Sequence, residues 1–421
     1  MRGTHIDQLF SHFFRHEYGR LVSILTRSFG VSQLDLIEDA VQMALLEALE
    51  TWALRGVPEN PAAWLFRVAK NKTIDVIRRE AMVRRRTPDA IMYQESGRSD
   101  VSLEVFGKGE DGLLRMMFAC CDPSIPVASQ VALTLKTLCG FSAKEIASAL
   151  LVSIESVHKR IQRAKHYLKG HSDFNEIPTG RDLDGRMVSV RKVLYLLFNG
   201  GYASSHSDEH IRRDLCEEAI RLSRLSIESS LKIVGATWAL HALMLLQAAR
   251  LSARVGTHGG IILLEDQDRS LWDTDLIDEG IRCIERSSET GDVTTYHLEA
   301  AIALHHCTSP SVEETDWEGI LNLYEMLLDL QSSPIYELNR AIVLAKIKGP
   351  NVGIKAIRQI NDPYFLQKYH WANVALGQLF FDAGNINAAR QAFESALAKT
   401  ESGQEKELLR KKISSLPVGE S

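Results

Sequence analysis

Over the first 170 residues, apolar positions recur every three or four residues between short polar breaks, the pattern of packed amphipathic helices. Residues 7–29 predict a helix that buries Leu9, Phe10, Phe13, Phe14, Leu21, Ile24, Leu25 and Phe29 and turns Arg15, Arg20 and Arg27 outward. A second helix runs from Asp35 to Trp52, with Leu36, Ala40, Val41, Ala44, Leu45, Ala48, Leu49 and Trp52 inside. After a break at Arg55 to Glu59, Asn60 is placed to N-cap a third helix, with Pro61 at its first position and its end near Arg86. The pattern lapses from Thr87 to Glu110, where Pro88, Gly97, Gly107 and Gly109 read as a linker. It returns in a pair of helices. Ser142 and Glu145 have capping-box spacing, so one helix starts at Ala143. After a turn around Leu151, Ser153 caps the next, which holds Ile154, Val157, Ile161, Ala164 and Leu168 inside.

The remaining 250 or so residues are also helical in pattern. The uncharged run from Ile233 to Ala249 is too polar and at the short limit for a membrane span, so it predicts a buried helix. Near the end, Leu376, Gly377, Phe380, Gly384, Ala389, Phe393 and Ala396 match tetratricopeptide spacing. Ala341, Leu344 and Ile357 stand 36 residues upstream of Gly377, Phe380 and Phe393, and Ala301 and Leu304 begin a weaker copy. The expected fold is all-α. Its expected parts are a helical domain at 7–86, a linker at 87–110, a helix-turn-helix domain at 111–170, a helical extension at 181–290 and repeats at 295–410.

Charge divides this chain unevenly. The 421 residues carry −5 overall, but residues 1–170 hold 23 Lys/Arg against 19 Asp/Glu and residues 171–421 hold 26 against 35. A basic front part suits a polyanion, and an acidic remainder is able to fold back on it. The polar face of the second helix has Asp35, Glu38, Asp39, Glu47 and Glu50 and no Lys or Arg. In the third helix, Arg67, Lys70, Lys72, Arg78, Arg79, Arg84, Arg85 and Arg86 face only Asp75 and Glu80, with Trp64 and Phe66 at its entry as rings for stacking. These two helices fit a clamp-and-DNA module or simply two helices with solvated charges. Ser156, His158, Lys159, Arg160, Gln162, Arg163 and Lys165 lie on the outer face of the helix after Ser153, as in a recognition helix entering a major groove or in a hairpin with a solvated basic face.

Other chemistry is sparse. Six cysteines show neither CxxC pairs nor regular spacing, which suits a reducing cytoplasm and buried thiols. The first seven residues lack the apolar core of a signal peptide. No nucleophile motif, phosphate loop or HExxH occurs, so neither an enzyme nor a cofactor is expected, and His305-His306-Cys307 lacks a fourth metal ligand at fixed spacing. Glu265, Asp266, Asp268 and Asp273, after Gly259-Gly260, lack calcium-loop spacing and suggest a carboxylate network with Arg269.

The sequences Asp35-Leu36-Ile37-Glu38-Asp39-Ala40, Asn60-Pro61-Ala62-Ala63-Trp64-Leu65 and Asn71-Lys72-Thr73-Ile74-Asp75-Val76-Ile77-Arg78-Arg79, followed by a terminal helix-turn-helix, resemble a bacterial sigma-70 family factor of the extracytoplasmic-function type over residues 7–170. The acidic segment Leu263-Leu264-Glu265-Asp266-Gln267-Asp268-Arg269-Ser270 and the repeats resemble the subgroup with a tetratricopeptide extension. The resemblance implies RNA polymerase core and promoter DNA as partners. It implies that Asp35, Glu38 and Asp39 bind the polymerase clamp. It assigns Arg55, Asn60, Trp64, Arg67, Lys70, Asn71, Asp75, Arg78 and Arg79 to the −10 element, and Ser156, His158, Lys159, Arg160 and Arg163 to the −35 element. The extension is expected to regulate the factor by packing on the sigma domains, or else to recruit another protein through its repeats. The alternative class is a helix-turn-helix regulator with a C-terminal ligand or protein sensor.

Overall fold

The computed structural model describes residues 2–84, 109–150, 152–171, 178–202, 212–228, 234–256 and 260–417. Among these the fold is all-α, with one isolated bridge between Val255 and Ile261. The chain forms two compact units, residues 1–196 and 197–421.

The first unit opens with α1 (Arg2–Phe29), α2 (Leu34–Arg55) and α3 (Pro61–Arg84). Leu21, Ile24 and Leu25 of α1, Ile37, Ala40, Val41 and Ala44 of α2, and Leu65, Phe66 and Ala69 of α3 are buried, as helical spacing requires. Asn60 caps α3 as expected, its Oδ1 accepting from the Ala63 amide at 3.0 Å. Leu9 and Phe10 have side chains outside the described set, as do Arg84, Arg85 and Arg86. Leu49 departs from expectation: it is about half exposed, on the outer face of α2.

Four helices follow: α4 (Gly109–Cys120), α5 (Val127–Thr137), α6 (Ala143–Leu150) and α7 (Ile154–His171). The linker expected at 87–110 lies outside the described residues up to residue 108, and Gly109 already belongs to α4. The capping box forms: the Ser142 amide donates to Glu145 Oε2 at 2.8 Å, and the Glu145 amide to Ser142 Oγ at 3.2 Å. Ser153 Oγ accepts from the Ser156 amide at 3.1 Å and so starts α7. Ala147 and Val157 are buried where the two helices meet. Ile154 is exposed rather than inside, because the first turn of α7 projects beyond that contact. Leu151, at the predicted turn, is outside the described residues.

Helix α8 (Gly180–Tyr202) holds the boundary between the units. The second unit continues with α9 (Arg213–Glu228), α10 (Gly235–Ala248), α11 (Thr274–Ser288) and α12 (Thr295–Thr308). Helix α10 is the predicted buried helix, apolar nearly all round, with α11 and α12 packed against it. Next come α13 (Trp317–Leu330), α14 (Pro334–Lys348), α15 (Pro350–Arg358), α16 (Pro363–Lys368), α17 (His370–Asp382), α18 (Ile386–Lys399) and α19 (Gly403–Ser415). Helices α14 and α15 form a close pair, as do α17 and α18. Their crossings depend on glycine: a Cβ on Gly377 would stand 2.6 Å from the Phe393 ring, and one on Gly353 2.6 Å from Ala345 Cβ. Gly377 and Phe393 are positions named in the repeat spacing, whereas Gly353 and Ala345 are not.

Candidate nucleic-acid interface

The residues expected to read the −10 element lie together along the break before α3 and on its outer side. Arg55, Asn60, Arg67, Asn71, Asp75, Arg78 and Arg79 are exposed, and Lys70 is half-buried. Because positions 67, 71, 75 and 78 are spaced by three or four, their side chains form one stripe. Lys72 Nζ pairs with Glu47 Oε2 of α2 at 2.7 Å and is thereby drawn toward α2. The aromatic entry differs from expectation. Phe66 is a core residue, and Trp64 is half-buried edge-on against Trp52 with centroids 5.5 Å apart. Trp52 stacks in turn on Phe14 at 5.6 Å, so the rings hold α1, α2 and α3 together.

On α7 the outward row is also formed. His158, Lys159 and Arg163 are exposed, and Ser156 and Arg160 are half-buried. Lys159 pairs with Glu155 one turn earlier at 2.6 Å, but both side chains are more than two-thirds exposed, so the lysine remains available at little cost.

The acidic face of α2 is where sequence reasoning fell short. Asp39 is exposed as expected, but Glu38 is 3% exposed. The C-terminal half of α7 covers it: Lys165 Nζ donates to Glu38 Oε2 and Asp35 Oδ1, both at 2.7 Å, and Lys169 Nζ to Asp35 Oδ2 at 2.7 Å. Thr137 of α5 donates to Glu38 Oε1 at 3.1 Å. Lys165, expected outside, has a side chain only 11% exposed. A second tie joins Arg15 of α1, also expected outside, to Glu145 Oε1 at 2.6 Å, with its guanidinium 4.5 Å from the Phe141 ring centroid. The two helical groups of this unit are thus clasped through the same carboxylates that the sequence offered to a partner. One half of α7 points outward with its basic row while the other half holds α2.

Electrostatics set the working range of the clasp. Burial raises the Asp35 pKa, but Lys165 and Lys169 outweigh it and leave it below the ordinary 3.8. Burial lowers the Lys165 pKa, but Glu38 and Asp35 outweigh it and leave it above the ordinary 10.5. Asp35 therefore contributes stability that is full above its ordinary pKa and lost as pH falls through the depressed one. Lys165 contributes stability that is full below its ordinary pKa and lost as pH rises through the elevated one. Both contributions are complete near neutrality.

A further surface was missed. Asp39, Met43, Leu46 and Glu50 follow at helical intervals along the outside of α2, and Met43, Leu46, Leu49, Leu54 and Val57 are exposed apolar residues. A helical-wheel reading places Met43 and Leu46 beside the carboxylates and was the available signal.

The expected carboxylate–Arg269 network is not what forms. Glu265 pairs with Lys346 at 2.7 Å, Asp268 accepts from Ser270, and Asp273 caps α11 through the Leu276 amide. Arg269 binds backbone carbonyls instead. Among the described residues no group of three or more His, Cys, Asp or Glu is arranged to hold a metal ion, and the six cysteines are free and buried. No helix among them is long and apolar enough to cross a membrane.

A helical group with an exposed basic stripe on α3 is followed by a capped helix-turn-helix with its own exposed basic row. Residues 13–82 match Sigma-70 region 2 and residues 121–168 match Sigma-70, region 4. The chain belongs to the sigma-70 family, whose members are transcription initiation factors acting on promoters with RNA polymerase core. Residues 186–288 match a family of unknown function, DUF6596. An uncharacterized protein of Rhizobium meliloti (strain 1021) is 35% identical over 388 residues, 91% of this chain and 90% of that protein, so the two belong to one family along nearly their whole length. No solved structure matches the chain.

Proposed function

We propose that this protein is a cytoplasmic sigma factor of the extracytoplasmic-function type, directing polymerase to a small set of promoters under control of its own C-terminal extension. The observation that carries it is the pair of outward basic rows, on α3 and on the first half of α7, within the region-2 and region-4 matches. In this reading the α3 stripe with Arg55, Asn60 and Trp64 serves the −10 element and the α7 row serves the −35 element. Asp35, Glu38 and Asp39, joined by Met43, Leu46 and Leu49, form the surface for the polymerase clamp. The clasp by Lys165 and Lys169 then makes the arrangement a closed one, which opens before core binds. The repeats α12 to α18 are read as tetratricopeptide-like and as the regulatory part.

Purified chain added to polymerase core is expected to yield start-site-specific transcripts from a genomic promoter library, most strongly when the clasp is opened by mutation. DNA binding without any core-dependent transcript, in the opened variant as in the parent, would instead identify a DNA-binding regulator. Arg163→Ala is expected to cost about 1–3 kcal/mol in promoter binding and to relax one position of the −35 sequence, if it reads a base edge. A uniform loss over all promoters, with a salt slope smaller by about one, would assign it to phosphate. Binding identical to the parent removes α7 from the interface.

A further inference from the structure

Arginine is almost never buried without a carboxylate partner, because removing its charge from water costs more than neutral hydrogen bonds return. Among the described residues of the second unit, Arg250 departs from that rule. Arg250, immediately after α10, is 8% exposed. Its Nη2 donates to the Tyr202 hydroxyl at 3.1 Å, and its buried Nε–H has no acceptor. Arg254, one turn on, stacks 3.7 Å above the Tyr202 ring centroid and donates from Nη1 to the Tyr202 carbonyl at 3.0 Å. Arg269 donates from Nη1 to the carbonyls of His306 and Ser309, at 2.7 and 2.6 Å, and stacks over Trp272. The Trp272 indole N–H is also buried and without an acceptor. The Asp273 amide ties this segment to the Ala249 carbonyl at 2.9 Å, next to Arg250.

Every hydrogen-bonding or stacking partner of these three guanidinium groups among the described residues is a carbonyl, a hydroxyl or a ring, and the Glu313 carboxylate acts on Arg269 only through space. The charges act on one another: Arg250 disfavours the charged forms of Arg254, Arg269 and His306. His306 is pushed down to about 3 by burial, then by Arg250 and Arg269, and so stays a neutral imidazole. Neighbouring cations that act on one another, with two buried N–H donors lacking acceptors, suit a compact multiply charged oxyanion. The planar forks of arginine suit phosphoryl oxygens.

We propose that Arg250, Arg254 and Arg269, with the Trp272 N–H, form a binding site for the phosphate group of a small molecule. The site joins the region of unknown function to α12, and its ligand class is a signal to which the extension responds. The assignment stands on these contacts alone and does not depend on the sigma-factor reading.

The test uses the full-length chain, thermal unfolding and calorimetry, with inorganic phosphate, pyrophosphate, acetate and chloride at matched ionic strength. Phosphate or pyrophosphate at about 10 mM is expected to raise the midpoint of the second unit and to titrate as one site, since a ligand held only by the native state stabilises it. Arg250→Gln is expected to weaken that binding at least about tenfold, as loss of a buried charge pair does. Trp272→Phe, which keeps an aromatic ring under Arg269 but removes the pyrrole portion with its N–H, is expected to weaken it several-fold, and Arg340→Ala on the surface to leave it unchanged. Without phosphate, Arg250→Gln is expected to unfold at the same or a higher temperature than the parent, because it removes an unpaired buried charge. Absence of any phosphate or pyrophosphate effect beyond that of chloride overturns the proposal. So does equal binding of acetate, or phosphate binding that survives in folded Arg250→Gln and Trp272→Phe.

Discussion

Lys165→Ala is expected to open the first unit and tighten its association with polymerase core by about tenfold or more. Among the described residues Lys165 is the one ammonium that reaches both Asp35 and Glu38, and Glu38 is nearly fully buried and also accepts from Thr137. Removing one partner of a buried ion pair leaves the other charge uncompensated, at a cost on the order of 3–5 kcal/mol. The chain avoids this cost by separating α7 from α2, which returns Glu38 to water. The freed carboxylates are then available to the polymerase, and the gain in affinity is bounded by the fraction of molecules formerly closed. Small-angle scattering reports the opening, and equilibrium binding to core reports the affinity. Lys165→Arg retains the charge and is expected to stay nearer the parent. An unchanged radius together with unchanged core affinity in Lys165→Ala would sink the clasp as a control on core binding. Because both pKa shifts place full stability near neutrality, the parent is expected to keep its radius from about pH 5 to 9. Expansion within that interval would show that other groups hold the unit closed.

Gly19→Ala tests the same packing by a route that changes no charge. A Cβ on Gly19 of α1 would lie 2.0 Å from the backbone carbonyl oxygen of Leu138, just after α5, and backbone there has no rotamer by which to yield. Overpacking of this kind costs about 1–3 kcal/mol. At about 2–4 °C per kcal/mol for a unit of this size, the expected fall in melting midpoint is roughly 2–12 °C. Part of that strain is relieved if α1 and α5 move apart, so Gly19→Ala is also expected to expand the first unit. A melting midpoint equal to that of the parent would mean that the carbonyl is not held against α1 in solution.

Much of the fold could be read locally. Capping is a matter of residues three positions apart, and Asn60, Ser142 with Glu145, and Ser153 perform it as their spacing indicates. Helix faces are nearly as local: the basic rows of α3 and α7 are exposed where periodicity put them, and α10 is buried because it is apolar all round. The mistakes share a cause. Periodicity turns Phe66, Glu38, Lys165 and Arg15 toward solvent because each lies on a polar or entry position of its own helix, yet each meets another element of the same unit.

The sequence by itself determined the all-α class, the helix starts, the order of the two DNA-facing groups and the identity of the charges available to a partner. These depend on one helix at a time, on 3.6-residue periodicity and on short-range hydrogen bonds. Only the tertiary structure decided which of those charges are already spent. Lys165 and Glu38 are 127 positions apart, and Arg250 and Tyr202 are 48 apart, with no periodic signal linking either pair. Whether a charge faces water, a carboxylate or only carbonyls depends on which elements pack over it, and packing is set by the summed shape of several helices rather than by any one stretch of chain.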